Sequence, residues 1–548
     1  GVRGVMAPQR RSANPARPDR SSEICQVWDR QSAGRLRVVL VTLYGFEAMG
    51  VRALHAFLKS HGCDVQVLFF RDRLMNRMPS LPQAELGLLA DAVESLRPDL
   101  VGISLFSAMY PDAAQITAAL RERLRVPIVW GGYHPTIEPE QCIQVADMIC
   151  LGEGELPLFE LVTALEAGQD PAGIANLWLR RADGVVRNPL RPLIQDLDRL
   201  PFFDYGDDGK HYFDGQTLIP GDPFNHPSGR GSHFQAHYVI QTGRGCPFSC
   251  SFCSNSVLKD IYAGCGPFVR QRSVGRVIEE LRLARQRFPR LRLVTFWDEV
   301  FVVDRRWAAE FARAYRAEIG LPFRCSLHPA VTSRELLRTL AEAGLEELVV
   351  GIQSGSERVR REVFHRPTSR ERLLEMARDI RSLGLVPEYD LIVDNPYETQ
   401  ADRDEALDFL VQLPHPYHLR VFSLTHLPRT ALTRRALADG LATELDVEGH
   451  SQKSLVQWRM TLGHRRTRQD LHWNAIVVLL SKRFVPRACI VALYRSRVLR
   501  RWPQALAAVA LVSNWIKTAL VGLRMLRRGR ISWDYVRSQW QSASRVAK

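Results

Sequence analysis

Short apolar runs alternate with amphipathic segments over two long stretches of the chain. In the first stretch, residues 36–165, five apolar runs are predicted to be strands: 37–43, 65–70, 99–105, 126–130 and 148–151. A helical segment near residues 51–61 separates the first two strands. Strands that alternate with helices predict an α/β domain with a doubly wound, Rossmann-like sheet. The ligand crevice of such a sheet lies at the carboxyl ends of its strands.

The second alternating stretch, residues 233–440, predicts a separate parallel sheet. Its helical segments, such as 277–284 and 336–344, repeat apolar residues at a spacing of about 3.6, and Gly344 suits a helix C-terminus. Apolar runs lie between the helices, and this order predicts a partial (β/α)6, TIM-like barrel. Active sites of such barrels collect at the carboxyl ends of the strands.

Three further segments flank or join these units. Residues 1–35 contain almost no apolar side chains and are predicted to be a disordered basic arm. No apolar run follows the early arginines, so we predict no signal peptide and expect a cytoplasmic protein. Residues 166–232 are rich in Asp, Gly and Pro and are predicted to be a linker. Residues 441–548 are predicted to be a basic, Trp-rich helical region.

Three cysteines, Cys246, Cys250 and Cys253, follow an apolar run with the spacing Cys-x3-Cys-x2-Cys. Three thiolates can hold three irons of a four-iron, four-sulfur (4Fe-4S) cluster and leave the fourth iron open for a substrate or cofactor. Zinc is the alternative, although the next candidate ligands are the isolated Cys265 and the distant Cys325. A disulfide is less favoured, because 10 cysteines in 548 residues without a paired framework indicate a reducing compartment.

The cysteine spacing resembles the radical S-adenosylmethionine (SAM) superfamily, in which the open iron binds the methionine end of SAM. The resemblance covers roughly residues 234–440. Residues 351–355, Gly-Ile-Gln-Ser-Gly, match a family strand that usually has Glu in place of Gln. Residues 394–399, Asp-Asn-Pro-Tyr-Glu-Thr, resemble the family's Gly-Leu-Pro-Gly-Glu-Thr turn, with Asn and Tyr at two glycine positions. The resemblance implies SAM contacts for Phe252, Asp298, Glu299, Gln353, Ser354 and Asn395.

The first unit resembles the cobalamin-binding domain that precedes the barrel in many radical SAM proteins. Its later strand ends carry Gly-Gly-x-His-Pro at 131–135 and Gly-Glu-Gly-Glu at 152–155, where glycines allow close approach of a corrin ring or simply form tight turns. The Asp-x-His-x-x-Gly motif of other cobalamin proteins is absent from the sequence, so His134 is interpreted as a turn residue rather than a cobalt ligand. The resemblance implies cobalamin contacts for Ser104, Gly131, Gly132, His134, Gly152 and Glu153.

Positive charge is concentrated near the C-terminal end. Residues 451–548 hold 20 Lys and Arg against Asp470 and Asp534, a net charge of +18, so the first 450 residues sum to −3 within a total of +15. This segment also holds six of the 11 tryptophans, and its apolar runs fall short of the roughly 20 residues of a membrane span. The pattern favours an anionic membrane surface. A helical cap on the barrel and a nucleic-acid surface are the alternatives, and nucleic acid is the least favoured.

The resemblance implies reductive SAM cleavage to a 5′-deoxyadenosyl radical and methyl transfer from cobalamin to an unactivated carbon. The tail suggests a lipid or other apolar small-molecule substrate and a peripheral position on the inner face of the membrane. A low-potential donor such as flavodoxin or ferredoxin would supply the electron. A non-methylating cyclase, ring contractase or oxidase would use the same cofactors, and a SAM- and cobalamin-binding regulator or nucleic-acid-modifying protein is a third hypothesis. Beyond the cluster ligands we assign no catalytic residue, because hydrogen abstraction needs no side-chain base.

Overall fold

The computed structural model describes residues 35–72, 81–213, 217–225, 237–448, 467–482 and 485–527, together with residues 533 and 536. Residues 1–34 of the predicted arm therefore lie outside the described residues, as do Trp458 and Trp540 of the tail.

The five strands predicted in the first stretch are present and form the middle of a nine-stranded sheet. The strands of this sheet are β1 (Arg37–Tyr44), β2 (Asp64–Asp72), β3 (Leu100–Ser104), β4 (Ile128–Gly131), β5 (Met148–Cys150), β6 (Leu177–Arg181), β7 (Gly184–Arg187), β8 (Lys210–Phe213) and β9 (Leu218–Pro220). Their spatial order is β7-β6-β5-β4-β3-β1-β2-β8-β9, in which β1 to β5 and β8 are parallel. The helices of this part are Met49–Ser60, Gln83–Ser95, Tyr110–Arg123, Tyr133–Ile137, Pro139–Cys142 and Glu155–Glu166.

Helices cover both faces of this sheet, as the continuous apolar strands predict. On β1, Val38 and Leu40 belong to the hydrophobic cluster on one face, and Val39 and Val41 belong to the cluster on the other. A strand buried on both sides must be apolar at consecutive positions, not at alternate ones. The chain order reverses between β1 and β3, and a doubly wound sheet opens its ligand crevice at this point.

The segment predicted as a linker also contributes secondary structure. Strands β6 and β7 form a hairpin that extends one edge of the first sheet, and β8 and β9 extend the other. Part of residues 166–232 thus completes the first sheet, and the domain boundaries given above stay a prediction.

The second stretch forms a six-stranded, all-parallel sheet with the order β10-β13-β14-β15-β16-β17. Its strands and a small antiparallel ribbon are β10 (His237–Ile240), β11 (Gly243–Arg244), β12 (Arg270–Gln271), β13 (Leu293–Phe296), β14 (Phe323–Leu327), β15 (Leu345–Gln353), β16 (Val386–Val393) and β17 (His418–Ser423). The helices are Ser254–Ile261, Val274–Arg287, Arg305–Glu318, Arg334–Ala343, Arg370–Ser382, Gln400–Gln412, Ala431–Ala438 and Glu444–Glu448. Strands β10 and β17 are the two edges, so the barrel is partial, as predicted.

Local sequence signals set the helix ends in the barrel. The side chain of Ser333 accepts a hydrogen bond from Leu336 N and begins the helix Arg334–Ala343, and Gly344 ends it with φ +116°. Thr399 and Asp402 form a capping box at the start of Gln400–Gln412. Such caps satisfy backbone N–H groups that have no partner inside the helix.

The C-terminal region is helical, and its first helix belongs to the core. The helices are Arg468–Leu480, Arg487–Arg495, Arg497–Arg501 and Pro503–Arg527. Arg468–Leu480 packs against β17 and Gln400–Gln412, and its Trp473 is only 3% exposed. The helical-cap alternative therefore describes this helix. Within the described residues no helix is both long and apolar enough to cross a membrane.

Candidate functional site

The loop with the three cysteines lies at the mouth of the barrel. It follows β11, and Cys253 is the residue that begins the helix Ser254–Ile261. Backbone hydrogen bonds attach the loop to two later segments: Ser251 N donates to Phe364 O over 3.2 Å, and Leu432 N donates to Ser251 O over 2.8 Å. Cys250 is buried, while Cys246 and Cys253 are half-buried. The barrel thus fixes the position of the loop through contacts far away in sequence.

Arg366 contacts the cysteine loop, although the sequence analysis did not identify it. Its Nη1 lies 3.2 Å from Cys250 Sγ, and its Nη2 donates to Gly351 O over 2.6 Å. The guanidinium is buried at 7% exposure. Arg366 therefore places positive charge directly at one of the three sulfurs that would bind the cluster. Nothing in the local sequence marked Arg366, because its partner lies more than 100 residues earlier.

The environment of the other two cysteines favours the neutral thiol when no metal is bound. Burial raises the pKa of Cys246 and raises that of Cys253 to about 12, and the nearby Glu299 carboxylate adds to both shifts. Bound iron would supply the positive charge that releases these protons.

The described side chains form no site for a single metal ion. Among the residues that the structure describes, no three His, Cys, Asp or Glu side chains form a group that could hold one metal ion. In an iron–sulfur cluster each thiolate binds a different iron, so its ligands surround a cluster and not a single ion.

Asp298 follows β13 and is buried beneath the start of the cysteine loop. Its Oδ1 accepts hydrogen bonds from Gly243 N at 2.7 Å and Thr242 N at 2.9 Å. Its Oδ2 is buried and has no hydrogen-bond partner among the described residues. Burial raises the pKa of Asp298 to about 7, although these hydrogen bonds act in the opposite direction. The adjacent Glu299 is exposed by surface area, yet burial raises its pKa, as expected for a carboxylate that lines a crevice.

The ends of β15 and β16 bring three further predicted residues to the mouth. Gln353 ends β15 with a left-handed φ of +69°, a strained conformation that often marks a binding site. Ser354 is buried, and its Oγ accepts a hydrogen bond from Ser356 N over 3.2 Å. Asn395 follows β16, and its Nδ2 is buried without a partner among the described residues.

Aromatic side chains surround the cysteine loop. Phe252 packs edge-on against Phe364, with ring centroids 5.0 Å apart. Phe248 stacks on His328 at 3.5 Å. Burial lowers the pKa of His328 to about 3, so the imidazole is neutral, and its Nε2 has no partner in the described part of the chain. The loop is therefore enclosed on two sides by apolar or neutral rings.

In the first domain, the turn after β4 is shaped by close backbone contacts. Gly131 pairs with Ser104 across the β3–β4 register. Gly132 has φ +100°, and a Cβ there would lie 2.9 Å from Leu105 O and 3.2 Å from Ser104 Oγ. Glycine is therefore required at this position. Both ring nitrogens of His134 are within 3.0 Å of protein oxygens, which supports its interpretation as a turn residue.

The turn after β5 contacts the barrel. A Cβ on Gly152 would lie 1.7 Å from the Tyr262 hydroxyl oxygen. The Glu153 carboxylate is 2.9 Å from Arg244 and 2.8 Å from Arg270, and it accepts a hydrogen bond from Ile194 N. Burial alone would raise the pKa of Glu153, but the two arginines hold it below its ordinary value. Gly152 and Glu153 therefore both contact the barrel at the domain boundary.

Side chains near the cysteine loop and near the crevice of the first sheet pack together at the domain boundary. Tyr133, next to Gly132, packs against the cluster of side chains that includes Val257 and Leu258, on the helix that follows Cys253. Burial raises the pKa of Tyr133, and the charges of Glu299 and Cys253 add to the shift. Phe106 stacks on Tyr133 at 5.2 Å. The two sets of predicted cofactor residues thus approach each other through Tyr133.

Family comparison agrees with this arrangement. The family model described as the radical SAM superfamily matches residues 240–410, and the model of the B12 binding domain matches residues 36–162. The fold and the cysteine loop are those of a radical SAM enzyme domain preceded by a B12-binding domain. The chain contains both domains, and its cofactors are a 4Fe-4S cluster, SAM and cobalamin.

The chain is similar to curated proteins with two kinds of activity. An uncharacterized methyltransferase of Pyrococcus horikoshii is 29% identical over 359 residues, 64% of this chain and 72% of that protein. Cytidylyl-2-hydroxyethylphosphonate methyltransferase of Streptomyces wedmorensis is 26% identical over 372 residues, 62% of this chain and 67% of that protein. An anaerobic magnesium-protoporphyrin IX monomethyl ester cyclase of Synechocystis is 27% identical over 265 residues, 47% of this chain and 48% of that protein.

A solved structure shares the fold. The radical SAM methyltransferase TsrM from Kitasatospora setae, with cobalamin and a 4Fe-4S cluster bound, matches with a TM-score of 0.57 at 20% sequence identity. The match covers 74% of this chain and 78% of that chain.

The residues at the mouth fit the cofactors of this class. Two buried polar atoms, Asp298 Oδ2 and Asn395 Nδ2, have no partner in the described part of the chain. An acceptor and a donor of this kind suit the amino and oxygen groups of SAM. Gly132 allows the tight turn that places Tyr133 beside the helix after Cys253.

Proposed function

We propose that the protein transfers a methyl group to an unactivated carbon of an apolar or lipid substrate. When bound, the cluster and SAM supply a 5′-deoxyadenosyl radical, and cobalamin supplies the methyl group. The observation that carries the proposal is the packing of Tyr133 of the first domain beside the helix that follows Cys253.

The chain's own residues would mainly bind and orient. Cys246, Cys250 and Cys253 hold the cluster, and the unpartnered Oδ2 of Asp298 accepts a hydrogen bond from the SAM amino group. The remaining SAM contacts are Phe252, Glu299, Gln353, Ser354 and Asn395. The corrin contacts are Ser104, Gly131, Gly132 and His134, with Gly152 and Glu153 at the domain boundary.

The inner face of the barrel limits how deep an apolar substrate can go. Arg324 pairs with Glu347 at 3.2 Å and Glu388 at 2.6 Å, and Arg420 pairs with Asp390 at 2.7 Å. Apart from Asp390 in the middle of β16, these charged residues lie in the N-terminal halves of β14 to β17, on the face opposite the helices. Because burying an apolar group among charges displaces their hydration without compensation, the substrate reacts at the mouth, beyond this network.

The proposal includes two partners. A low-potential electron donor such as flavodoxin or ferredoxin reduces the cluster, and the inner face of an anionic membrane presents the substrate. The positive charge and exposed apolar side chains of the C-terminal region support the second partner.

Product stoichiometry tests methyl transfer. Anaerobically reconstituted protein is given SAM, methylcobalamin, a low-potential reductant and a lipid extract of its source. We expect 5′-deoxyadenosine and S-adenosylhomocysteine in near-equal amounts, both dependent on the extract. Cys250→Ala should abolish both products, whereas the matched variant Cys489→Ala, at an exposed cysteine, should change neither.

The alternative is a cyclase, ring contractase or oxidase that uses the same cofactors without methylating. The similarity to magnesium-protoporphyrin IX monomethyl ester cyclases supports keeping it. It predicts that 5′-deoxyadenosine accumulates without S-adenosylhomocysteine. That result would overturn methyl transfer and leave the cofactor assignment standing.

A further inference from the structure

The helix Pro503–Arg527 carries an apolar stripe that faces solvent. Six large apolar side chains on it are between 47% and 60% exposed. One is Trp515, and the other five form a row: Val509, Val512, Ile516, Leu520 and Leu523. Their successive spacings of 3, 4, 4 and 3 residues put them on one side of the helix. The stripe extends about 21 Å along the helix axis. Single exposed apolar residues are ordinary, whereas a continuous row indicates an interaction surface.

The first part of this helix is packed against the rest of the molecule. It buries three small or apolar side chains against Arg468–Leu480: Leu506, Ala507 and Ala510. That partner helix is in turn attached to the barrel, because Asn474 Nδ2 donates to Asp394 Oδ1 over 2.8 Å and Asp470 pairs with Arg403 at 2.5 Å. The apolar stripe is therefore an outer face of the folded molecule, with an orientation fixed relative to the barrel mouth at Asp394.

Positive charge surrounds the apolar stripe. No acidic residue lies between Asp470 and Asp534 in the sequence. Exposed arginines lie before the stripe and at its end: Arg495, Arg497, Arg500, Arg501, Arg524 and Arg527. Two exposed apolar side chains lie next to the arginines that precede the stripe in the sequence: Trp502 is 63% exposed and Val498 is 69% exposed. Arginines that meet headgroups and an indole at the interface are typical of helices that lie on anionic bilayers.

We propose that the apolar stripe docks onto an anionic lipid bilayer, with Pro503–Arg527 lying in the plane of the membrane. A second copy of the chain would bring two arginine-rich surfaces together, and their repulsion opposes self-association. A nucleic acid would meet the arginines but leave the apolar row without a partner. The charge complementarity and the apolar row together select the bilayer. Docking of this stripe does not depend on which reaction the active site catalyses.

Vesicle flotation of the full-length, reconstituted protein tests the proposal. Vesicles of phosphatidylcholine alone are compared with vesicles that also contain phosphatidylglycerol. We expect the bound fraction to be at least about tenfold higher on the anionic vesicles and to fall as salt is raised. No binding to either kind of vesicle would overturn the proposal.

Charge insertion into the stripe separates docking from unspecific adhesion. Because Val512 and Leu520 are exposed, the double variant Val512→Glu/Leu520→Glu should fold normally and lose binding at least about tenfold. Leu283→Glu is the matched control, since Leu283 is 48% exposed on a barrel helix, and it should bind like the unchanged protein. Equal retention of all three proteins would contradict the assignment of this face.

Charge reversal tests the arginines separately. Arg497→Glu/Arg501→Glu should lower binding to the anionic vesicles at least about tenfold, whereas Arg313→Glu/Arg316→Glu, on an exposed barrel helix face, should not. Two other results would overturn the proposal: a stripe variant that changes the oligomeric state but not vesicle binding, or tight RNA binding that the arginine variant loses while vesicle binding persists. SAM cleavage without lipid, measured on the same samples, shows independently whether the active site is functional.

Discussion

Arg366 stabilises the cysteine loop through a direct contact, since its Nη1 lies 3.2 Å from Cys250 Sγ. Positive charge and N–H donors at a ligand sulfur favour the reduced, more negative state of an iron–sulfur cluster. We therefore expect Arg366→Gln to lower the midpoint potential of the reconstituted cluster, by on the order of tens of millivolts. An EPR-monitored redox titration measures this shift.

The matched control for this prediction is Arg361→Gln. Arg361 is exposed in the same segment, so its replacement should leave the midpoint potential unchanged. Iron content must be equal in the three proteins for the comparison to hold. An Arg366→Gln protein with full iron content and the original potential would contradict an electrostatic role for the contact.

We expect SAM binding to depend on pH through Asp298. Burial raises its pKa to about 7, so the carboxyl group is mostly neutral below that pH and ionised above it. Only the ionised form pairs strongly with the SAM amino group, and we expect the dissociation constant of SAM to rise by up to about tenfold per pH unit below pH 7. Equilibrium binding of SAM to the reconstituted protein, measured from about pH 6 to about pH 8, tests this expectation.

Asp298→Asn supplies the comparison. This variant keeps an oxygen acceptor but has no titrating group, so it should bind SAM weakly and without the pH dependence. The same pH dependence in both proteins would assign the titration to another group.

At the scale of elements, the turn after β5 and the ribbon β11 connect the two domains through Glu153. Its carboxylate pairs with Arg244 and Arg270, and the three side chains are 12%, 23% and 6% exposed. Glu153→Gln leaves the buried Arg270 without a counter-charge, whereas Arg244 keeps its ion pair with Glu155. We expect the variant to lower the free energy of unfolding by about 3 kcal/mol. Denaturant unfolding of the full chain measures the change.

An exposed ion pair provides the control. Glu140 and Arg187 pair at 2.8 Å, but their side chains are 54% and 48% exposed, so Glu140→Gln should change stability by less than about 1 kcal/mol. If Glu153 serves only to contact cobalamin, the expected result is different. Glu153→Gln would then weaken cobalamin binding and leave the stability of the apoprotein unchanged.

For the whole molecule, long apolar strands were the most predictable features. The five strands of the first sheet and the partial barrel follow from periodicity, because a strand buried on both faces needs consecutive apolar residues. Strands β6 to β9 carry no such signal, since they lie at the two edges of the sheet and are only partly buried. A segment rich in Asp, Gly and Pro therefore had the pattern of a linker.

The sequence did not predict contacts between segments that lie far apart along the chain. Arg366 and Cys250 are 116 positions apart, and Glu153 and Arg270 are 117 apart, so no local motif joins them. The amino-acid composition of the tail, residues 441–548, also gave only an average for the whole segment. It did not separate Trp473, which is buried in the core, from Trp502, which is 63% exposed.

We expect the cluster and cobalamin to lie close to each other beside Tyr133. EPR of the reconstituted protein, reduced until both the cluster and cob(II)alamin are paramagnetic, tests this expectation most directly. The cluster should enhance the relaxation of the cob(II)alamin signal, and Cys250→Ala should remove this enhancement while cobalamin stays bound. A cob(II)alamin signal with the same relaxation in both proteins, at full iron and cobalt content in the unchanged chain, would show that the two cofactors do not lie close together.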